Sequence, residues 1–516
     1  MWRTMLLLAA MCAAGRAGGK DCVARRFGHG SAVCVCNATY CDTAGGGLGR
    51  LPPGAARRFA STKDGGRLVA SVSRFYATPH VARVRRKPVA GAAFKVNQRQ
   101  RYQQIIGFGG AATDAATINT YSLSARTSEQ LIRAYFGEEG IGYTLIRVPV
   151  GSSDFSAHYY GYTDDYPEDT SLRHFNLSRE DFEYKIPFIS RAKQVSPSPL
   201  KLISTPWSAP DWMKVINPKT NVNWLRKDLY KVYANLYLKF LEGYAAKGLR
   251  FWGLTPQNEP SEGLATGKFN KMGWTTDDMV SFLVRDLCPL LKEKGHGGVK
   301  VMINDDQRRD VAEWLKTYSD KELYECAAGM AVHWYKDQET PAAILSKAHH
   351  LYPEKFLLYT EACFEHEKKD PAVTLGKWEK GALYMADIIE VINNWVTGWM
   401  NWNLALDADG GPNWADNTVD SPIIVNATAD EFYKQPMFYA IAHFSKFVPP
   451  GSVRVGLELQ WGGGIEGVAF LTPANVTVLV LQNRQDTSSL TSISDPVRGT
   501  MYLKLEANSM NTVLYR

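Results

Sequence analysis

Two glutamates carry the chemical argument. Glu259 closes the stretch Trp252-Gly-Leu-Thr-Pro-Gln-Asn258-Glu259-Pro260, and Glu361 closes Phe356-Leu-Leu-Tyr-Thr-Glu361. Each is an apolar run that stops at a carboxylate. Glycoside hydrolysis uses such a pair: one carboxyl protonates the leaving oxygen while the other stays ionised to attack the sugar, so two like groups need unlike environments. A glutamate picked at random is a surface carboxylate. Here Pro256 and Pro260 bracket Glu259 and fix the backbone where a strand ends. Asn258, directly before it, supplies an amide for a sugar 2-hydroxyl. On this reading Glu259 is the acid/base and Glu361 the nucleophile.

Carboxylates at strand ends need a scaffold whose strand ends converge. Apolar runs at 105–110, 143–150, 200–206, 251–255, 299–304, 330–333, 356–361 and 399–403 alternate with amphipathic stretches such as Leu229–Leu249 and Thr276–Leu291. Eight strands alternating with helices predict a (β/α)₈ TIM barrel, whose active site lies at the C-terminal mouth. Short β-like segments separated by Gly and Pro precede the barrel, and β text returns from Ser452 to Arg516. The expected division is a signal peptide over 1–19, a disulfide-bonded N-terminal β region over 20–47 with 404–436, and an accessory β-sandwich built from both chain ends, 48–100 and 452–516. The catalytic barrel takes 101–403 with 437–451.

In that register the residues just past each strand share one pocket: Asp154 and Phe155, Trp207, Asn258 and Glu259, Gln307, His333 and Tyr335, Glu361, then Trp402 and Asn403. Polar groups for hydroxyls stand beside flat faces for stacking, and a pyranose needs both. Arg147, near the end of the second strand, is placed to hold Glu361 ionised. Glu365 and Glu367 fall beyond the apolar run, among His366, Lys368 and Lys369, and read as a solvated loop. Gly107-Phe-Gly109-Gly-Ala-Ala112 matches a dinucleotide fingerprint, but Arg133 stands where an acid should bind ribose, so the glycines read as a tight turn. No HExxH, P-loop or GxSxG occurs, hence no metal, cofactor or nucleic-acid partner is expected.

The 516 residues exceed one ordinary domain. Met1–Gly19 reads as a cleaved secretory signal, too short to anchor in a bilayer, and later apolar stretches are broken by charges. Loss of Arg3 and Arg16 leaves a chain of formal charge +7 still mildly basic. The densest basic cluster, Arg83-Val-Arg85-Arg86-Lys87, reads as a charged strand edge or a contact for anionic lipid. Four cysteines crowd into 22–41, which in a secreted chain implies two disulfides. Cys22–Cys34 with Cys36–Cys41 is favoured among the three pairings because neighbours two apart cannot easily bond each other. Cys288, Cys326 and Cys363 are expected free and buried. Sequons stand at Asn37, Asn176, Asn426 and Asn475.

Longer motifs carry a resemblance: Cys34-Val-Cys-Asn-Ala-Thr-Tyr-Cys41, Ile146-Arg-Val-Pro149, Asp305-Asp-Gln307, Ala331-Val-His-Trp-Tyr335, Trp402-Asn-Leu-Ala-Leu406, Gly410-Gly-Pro-Asn-Trp414 and Phe432-Tyr-Lys-Gln-Pro-Met-Phe438. The chain resembles the lysosomal acid β-glucosylceramidases of glycoside hydrolase family thirty. The resemblance implies retaining hydrolysis of glucosylceramide to glucose and ceramide at acidic pH. It also implies peripheral work on anionic-lipid membranes in the lysosome, without a transmembrane helix and with a saposin-type activator. Asp154, Trp207 and Asn258 would bind glucose hydroxyls and Trp402 would wall the sugar site, while Phe269, Gln307, Tyr335 and Asn417 would line the mouth. Asn401 stands where the family often has Asp, and the loop Gly267-Lys-Phe269-Asn270 is short. Rival readings keep the barrel but cleave xylan or β-1,6-glucan, or keep only carbohydrate or lipid binding.

Overall fold

The computed structural model describes residues 19–77, 91–265, 271–364 and 371–516. The signal segment up to residue 18, the basic cluster Arg83–Lys87, the loop with Phe269, and Glu365 with Glu367 lie outside the described residues.

Eight parallel strands close a barrel: β1 (Gly107–Ala111), β2 (Leu145–Val150), β3 (Lys201–Pro206), β4 (Phe251–Leu254), β5 (Lys300–Gln307), β6 (Ala327–His333), β7 (Phe356–Glu361) and β8 (Val396–Asn403). β2 and β8 are buried along their whole length, as strands covered on both faces must be. Leu145, Ile203, Met302, Ala331, Leu358 and Met400 form one apolar layer inside the barrel, with Ile106, Trp252 and Phe356 packed against it. The lumen is therefore filled, and chemistry is confined to the mouth. The glycines of the fingerprint-like stretch are in β1. A Cβ on Gly109 would stand 2.0 Å from the Leu145 carbonyl oxygen, so strand approach, not a nucleotide, needs the glycine there.

Both chain ends build the second body. Nine strands pair in a closed ring, in the order 453–462, 465–471, 477–483, 509–515, 55–62, 69–76, 499–505, 489–495 and 92–104. Its core includes Phe94, Val96, Leu479, Ile493, Met501 and Val513. Helix Pro436–Ser445 is buried on every side. Phe444 meets Phe108 of β1 at 5.8 Å, while His443 touches Ser61 (3.0 Å) and Thr512 (2.9 Å) of the ring. Burial pushes the His443 imidazole down to about 3, so it is a neutral hydrogen-bonding wedge between the two bodies.

A third sheet joins the N-terminus to a late excursion of the chain, in the order 24–26, 32–37, 431–434, 423–426 and 406–407. Cys22–Cys34 and Cys36–Cys41 bond as favoured. Cys288 and Cys326, expected free, instead form a third disulfide, because barrel closure sets helices Cys288–Glu293 and Lys321–Cys326 side by side with the two Cα atoms 6.1 Å apart. Among the described cysteines Cys363 alone is outside a disulfide; it is buried, with its sulfur 3.2 Å from the Tyr335 hydroxyl. Of the four sequons, Asn176 and Asn475 are exposed. The Asn426 amide donates to Tyr433 (3.0 Å), and Asn37 Oδ1 accepts from Thr39 and Tyr40.

Candidate active site

Glu259 follows β4 with φ +43°, and Asn304 and Asp305 at the end of β5 have φ +71° and +51°. Non-glycine residues in the left-handed region are held there by their surroundings at roughly 1–3 kcal/mol each. The clamp is visible: Asn258 N donates to the Pro206 carbonyl and Glu259 N to the Asp305 carbonyl, both at 2.9 Å. Glu361, the last residue of β7, is in register with His333, the last of β6. One carboxylate oxygen from each glutamate and a ring nitrogen of His333 all lie within 4.8 Å of one another. The two carboxyls therefore face each other across a gap the size of one anomeric centre. This spacing belongs with the roughly 5–5.5 Å of retaining enzymes rather than the roughly 6.5–9.5 Å of inverting ones.

Beneath the pair lies a buried ionic floor. Arg147, fully buried, donates to Glu361, to Asp305 (2.8 Å) and to Asn258 Oδ1 (2.7 Å). Asp305 also accepts from Thr255 (2.6 Å) and Thr360 (2.7 Å) and faces His333 Nε2 at 3.2 Å. His333 Nδ1 meets Glu259 Oε1 at 3.1 Å, the same oxygen that accepts from Gln307 Nε2 at 2.9 Å. Tyr335 donates to Glu361 Oε1 at 2.8 Å. Burial disfavours charge on Asp305, but Arg147 and His333 overcome it and hold this carboxyl well below the usual range.

The proton inventory differs from the expectation that Glu259 carries the proton. Burial pushes the His333 imidazole down, but Glu361, Asp305 and Glu259 raise it to about 10. Burial pushes Glu259 up, yet the hydrogen bond and charge of His333, with Lys271 and Arg147, bring it below its ordinary value. In the free enzyme the proton therefore resides on His333, one hydrogen bond from Glu259. A bound sugar changes that balance: it excludes water, and its glycosidic oxygen can only accept, so the complex selects the protonated carboxyl.

Three aromatic rings gather beside the glutamate pair. Trp207 and Trp402 stack at 4.9 Å with Phe155 edge-on to Trp402, and Arg147 lies over both indoles. Asn417 donates to Asp154 Oδ2 at 2.8 Å, while the buried Oδ1 of Asp154 has no hydrogen-bond partner among the described residues and is placed to meet a hydroxyl. Burial raises Asp154 to about 7, reinforced by the charges of Glu361 and Glu259 and opposed by Asn417 and Lys271. Because Arg147 occupies Asn258 Oδ1, the amide protons of Asn258 are its remaining group for substrate. Asn401 departs from Asp without leaving a gap: it accepts from Tyr143 (2.6 Å) and donates to the Trp402 and Asn403 carbonyls. Asp305, Thr255 and Thr360 were missed as site residues; the one signal was a threonine at the end of each of two otherwise apolar runs. Glu259, His333 and Glu361 have spacing that could hold a metal ion, but Arg147 and the imidazole already supply the compensating positive charge.

An eight-stranded parallel barrel carrying two facing glutamates at its mouth defines a glycoside hydrolase of the retaining class. Residues 105–448 match the glycosyl hydrolase family 30 TIM-barrel domain and residues 451–513 the family 30 beta sandwich domain. The chain is 41% identical to the lysosomal acid glucosylceramidase of Mus musculus, over 97% of this chain and 96% of that one. It is 40% identical to putative glucosylceramidase 3 of Caenorhabditis elegans, over 94% and 92%. The crystal structure of SrfJ from Salmonella typhimurium superposes with a TM-score of 0.81 at 28% identity, covering 90% of this chain and 99% of that one. The protein belongs to glycosyl hydrolase family 30.

Proposed function

We propose that this chain hydrolyses the β-glucosidic bond of glucosylceramide, giving glucose and ceramide with retention of configuration. The observation that carries the reading is the approach of Glu259 and Glu361 around His333 to within 4.8 Å. Glu361 attacks the anomeric carbon while Glu259 delivers a proton to the ceramide oxygen, which leaves as the alcohol. Glu259 then takes a proton from water, and the resulting hydroxide equivalent displaces Glu361 and frees β-glucose. Arg147 and Tyr335 both donate to Glu361 and aim it. His333, charged between three carboxylates, lets those negative groups share one small space. Asp154, Asn258 and the indoles of Trp207 and Trp402 hold the glucose ring.

The lysosome as compartment, entry through a signal peptide, glycosylation at Asn176 and Asn475, attachment to anionic-lipid membranes and help from a saposin-type activator complete the proposal. No described helix is long and apolar enough to cross a membrane, so attachment through surface contacts fits. Purified protein with glucosylceramide in anionic vesicles at about pH 5 is the test, with galactosylceramide and a β-xyloside alongside. Proton NMR of the first-formed sugar should show β-glucose. α-Glucose as first product would refute double displacement, and turnover of the xyloside alone would refute the substrate.

A further inference from the structure

Glu259 uses its two oxygens differently. Oε1 is engaged by Gln307 and His333 on the barrel side, whereas Oε2 faces the ammonium of Lys271 at 3.9 Å. Lys271 does not sit on a free loop. The next residue, buried Met272, donates to the Trp207 carbonyl at 3.1 Å, and Gly273 donates to the Asn223 carbonyl at 2.9 Å. The lysine is thus tied to the wall of the sugar site, and its side chain is 22% exposed. The oxygen of the acid that is not committed to the floor is the one that must meet the glycosidic oxygen, so the ammonium stands where a leaving group begins.

We propose that Lys271 is a specificity residue that reads the leaving group, binding the amide carbonyl of an N-acylated aglycone and repelling an aglycone that carries an ammonium there. The inference rests on the glucosylceramide reading above. In a ceramide, the carbon bearing the amide is bonded to the carbon that carries the glycosidic oxygen. An ammonium beside Glu259 Oε2 therefore meets the amide carbonyl, an acceptor it can satisfy. In glucosylsphingosine the acyl chain is gone and a second ammonium takes that place. Like charges at this separation in a partly enclosed site oppose each other strongly, so the lysine gives selectivity by excluding one leaving group as well as by binding the other.

The test is steady-state turnover of glucosylceramide and glucosylsphingosine in the same vesicles by wild type, Lys271→Met and Lys271→Arg, each normalised to a neutral aryl β-glucoside. In Lys271→Met the ratio of kcat/KM for the acylated over the deacylated lipid should fall about tenfold, mostly through KM. Lys271→Arg, which keeps the charge, should hold the ratio within about twofold of wild type. A merely structural lysine would lower both lipids together. An active wild type with an unchanged ratio in Lys271→Met overturns the contact alone. Wild type that cleaves the aryl glucoside and neither lipid removes the glucosylceramide reading, and this inference with it.

Discussion

Replacing His333 by glutamine tests the ionic floor directly. The imidazole is fully buried between Glu259, Asp305 and Glu361, which raise it from 6.5 to about 10. A group whose pKa is higher in the folded chain stabilises the fold fully below its unfolded value and loses that contribution as pH climbs through the folded one. At about 1.4 kcal/mol per pK step, the charged imidazole contributes at most about 5 kcal/mol at pH 5. By pH 9 about 3 kcal/mol of that is gone, because the unfolded chain no longer holds the proton while the folded chain still must. The glutamine keeps an amide in place but no charge. Urea unfolding of wild type and His333→Gln at intervals from pH 5 to pH 9 should show a stability gap of about 4–5 kcal/mol that shrinks to about 1–2 kcal/mol. If the variant is already unfolded at pH 5 but folds near pH 9, the same sign is read directly. A gap that stays constant across the range would refute the charged imidazole and the account of how three carboxylates coexist at the mouth.

Other changes follow from the same geometry. Glu361→Gln should lower kcat at least about a thousandfold while leaving the circular dichroism that of a folded chain, since the amide still accepts from Tyr335; near-normal turnover would move the nucleophile elsewhere. Asp305→Asn leaves Arg147 and His333 without their shared buried counter-charge and should destabilise by about 3–5 kcal/mol in denaturant unfolding. Removing the Cys288–Cys326 bond, which spans 38 positions, should cost about 4 kcal/mol on loop-closure grounds, with activity at 25 °C retained and a lower Tm by calorimetry.

The barrel was legible because its strands are short apolar runs at even intervals, and all eight stand where those runs lie. The C-terminal carboxylates were legible for the same reason: Glu259 and Glu361 each interrupt an apolar run. Less visible were elements whose pattern is not apolar. Strand Ala55–Thr62 carries Arg57 and Arg58, whose guanidinium groups reach the Leu48 carbonyl and Asn511 respectively, so its text reads as loop. Strand Ser489–Asp495 alternates serine and threonine with apolar residues and is set by partners on both sides. Asp305 was unreadable as a site residue for a general reason. Nothing in one aspartate's neighbours in sequence says that an arginine 158 positions earlier will be buried against it. The Cys288–Cys326 bond depends on helix packing in the same way. The location of the proton was also beyond reach, since it depends on how three carboxylates and two cations sum in space.

The ring of nine strands has a temporal side. Ser509–Tyr515, the last strand, is inserted between 55–62 and 477–483, and Arg58 bonds Asn511 453 positions later. At about 5–20 residues per second, a ribosome needs roughly 20 to 90 seconds to supply that partner. Until the final codons are read, the early strands keep an unpaired edge, the kind of surface that recruits stray strands. A premature stop within the closing few residues would therefore leave the catalytic pocket's own residues intact and still make a chain that cannot finish its second body.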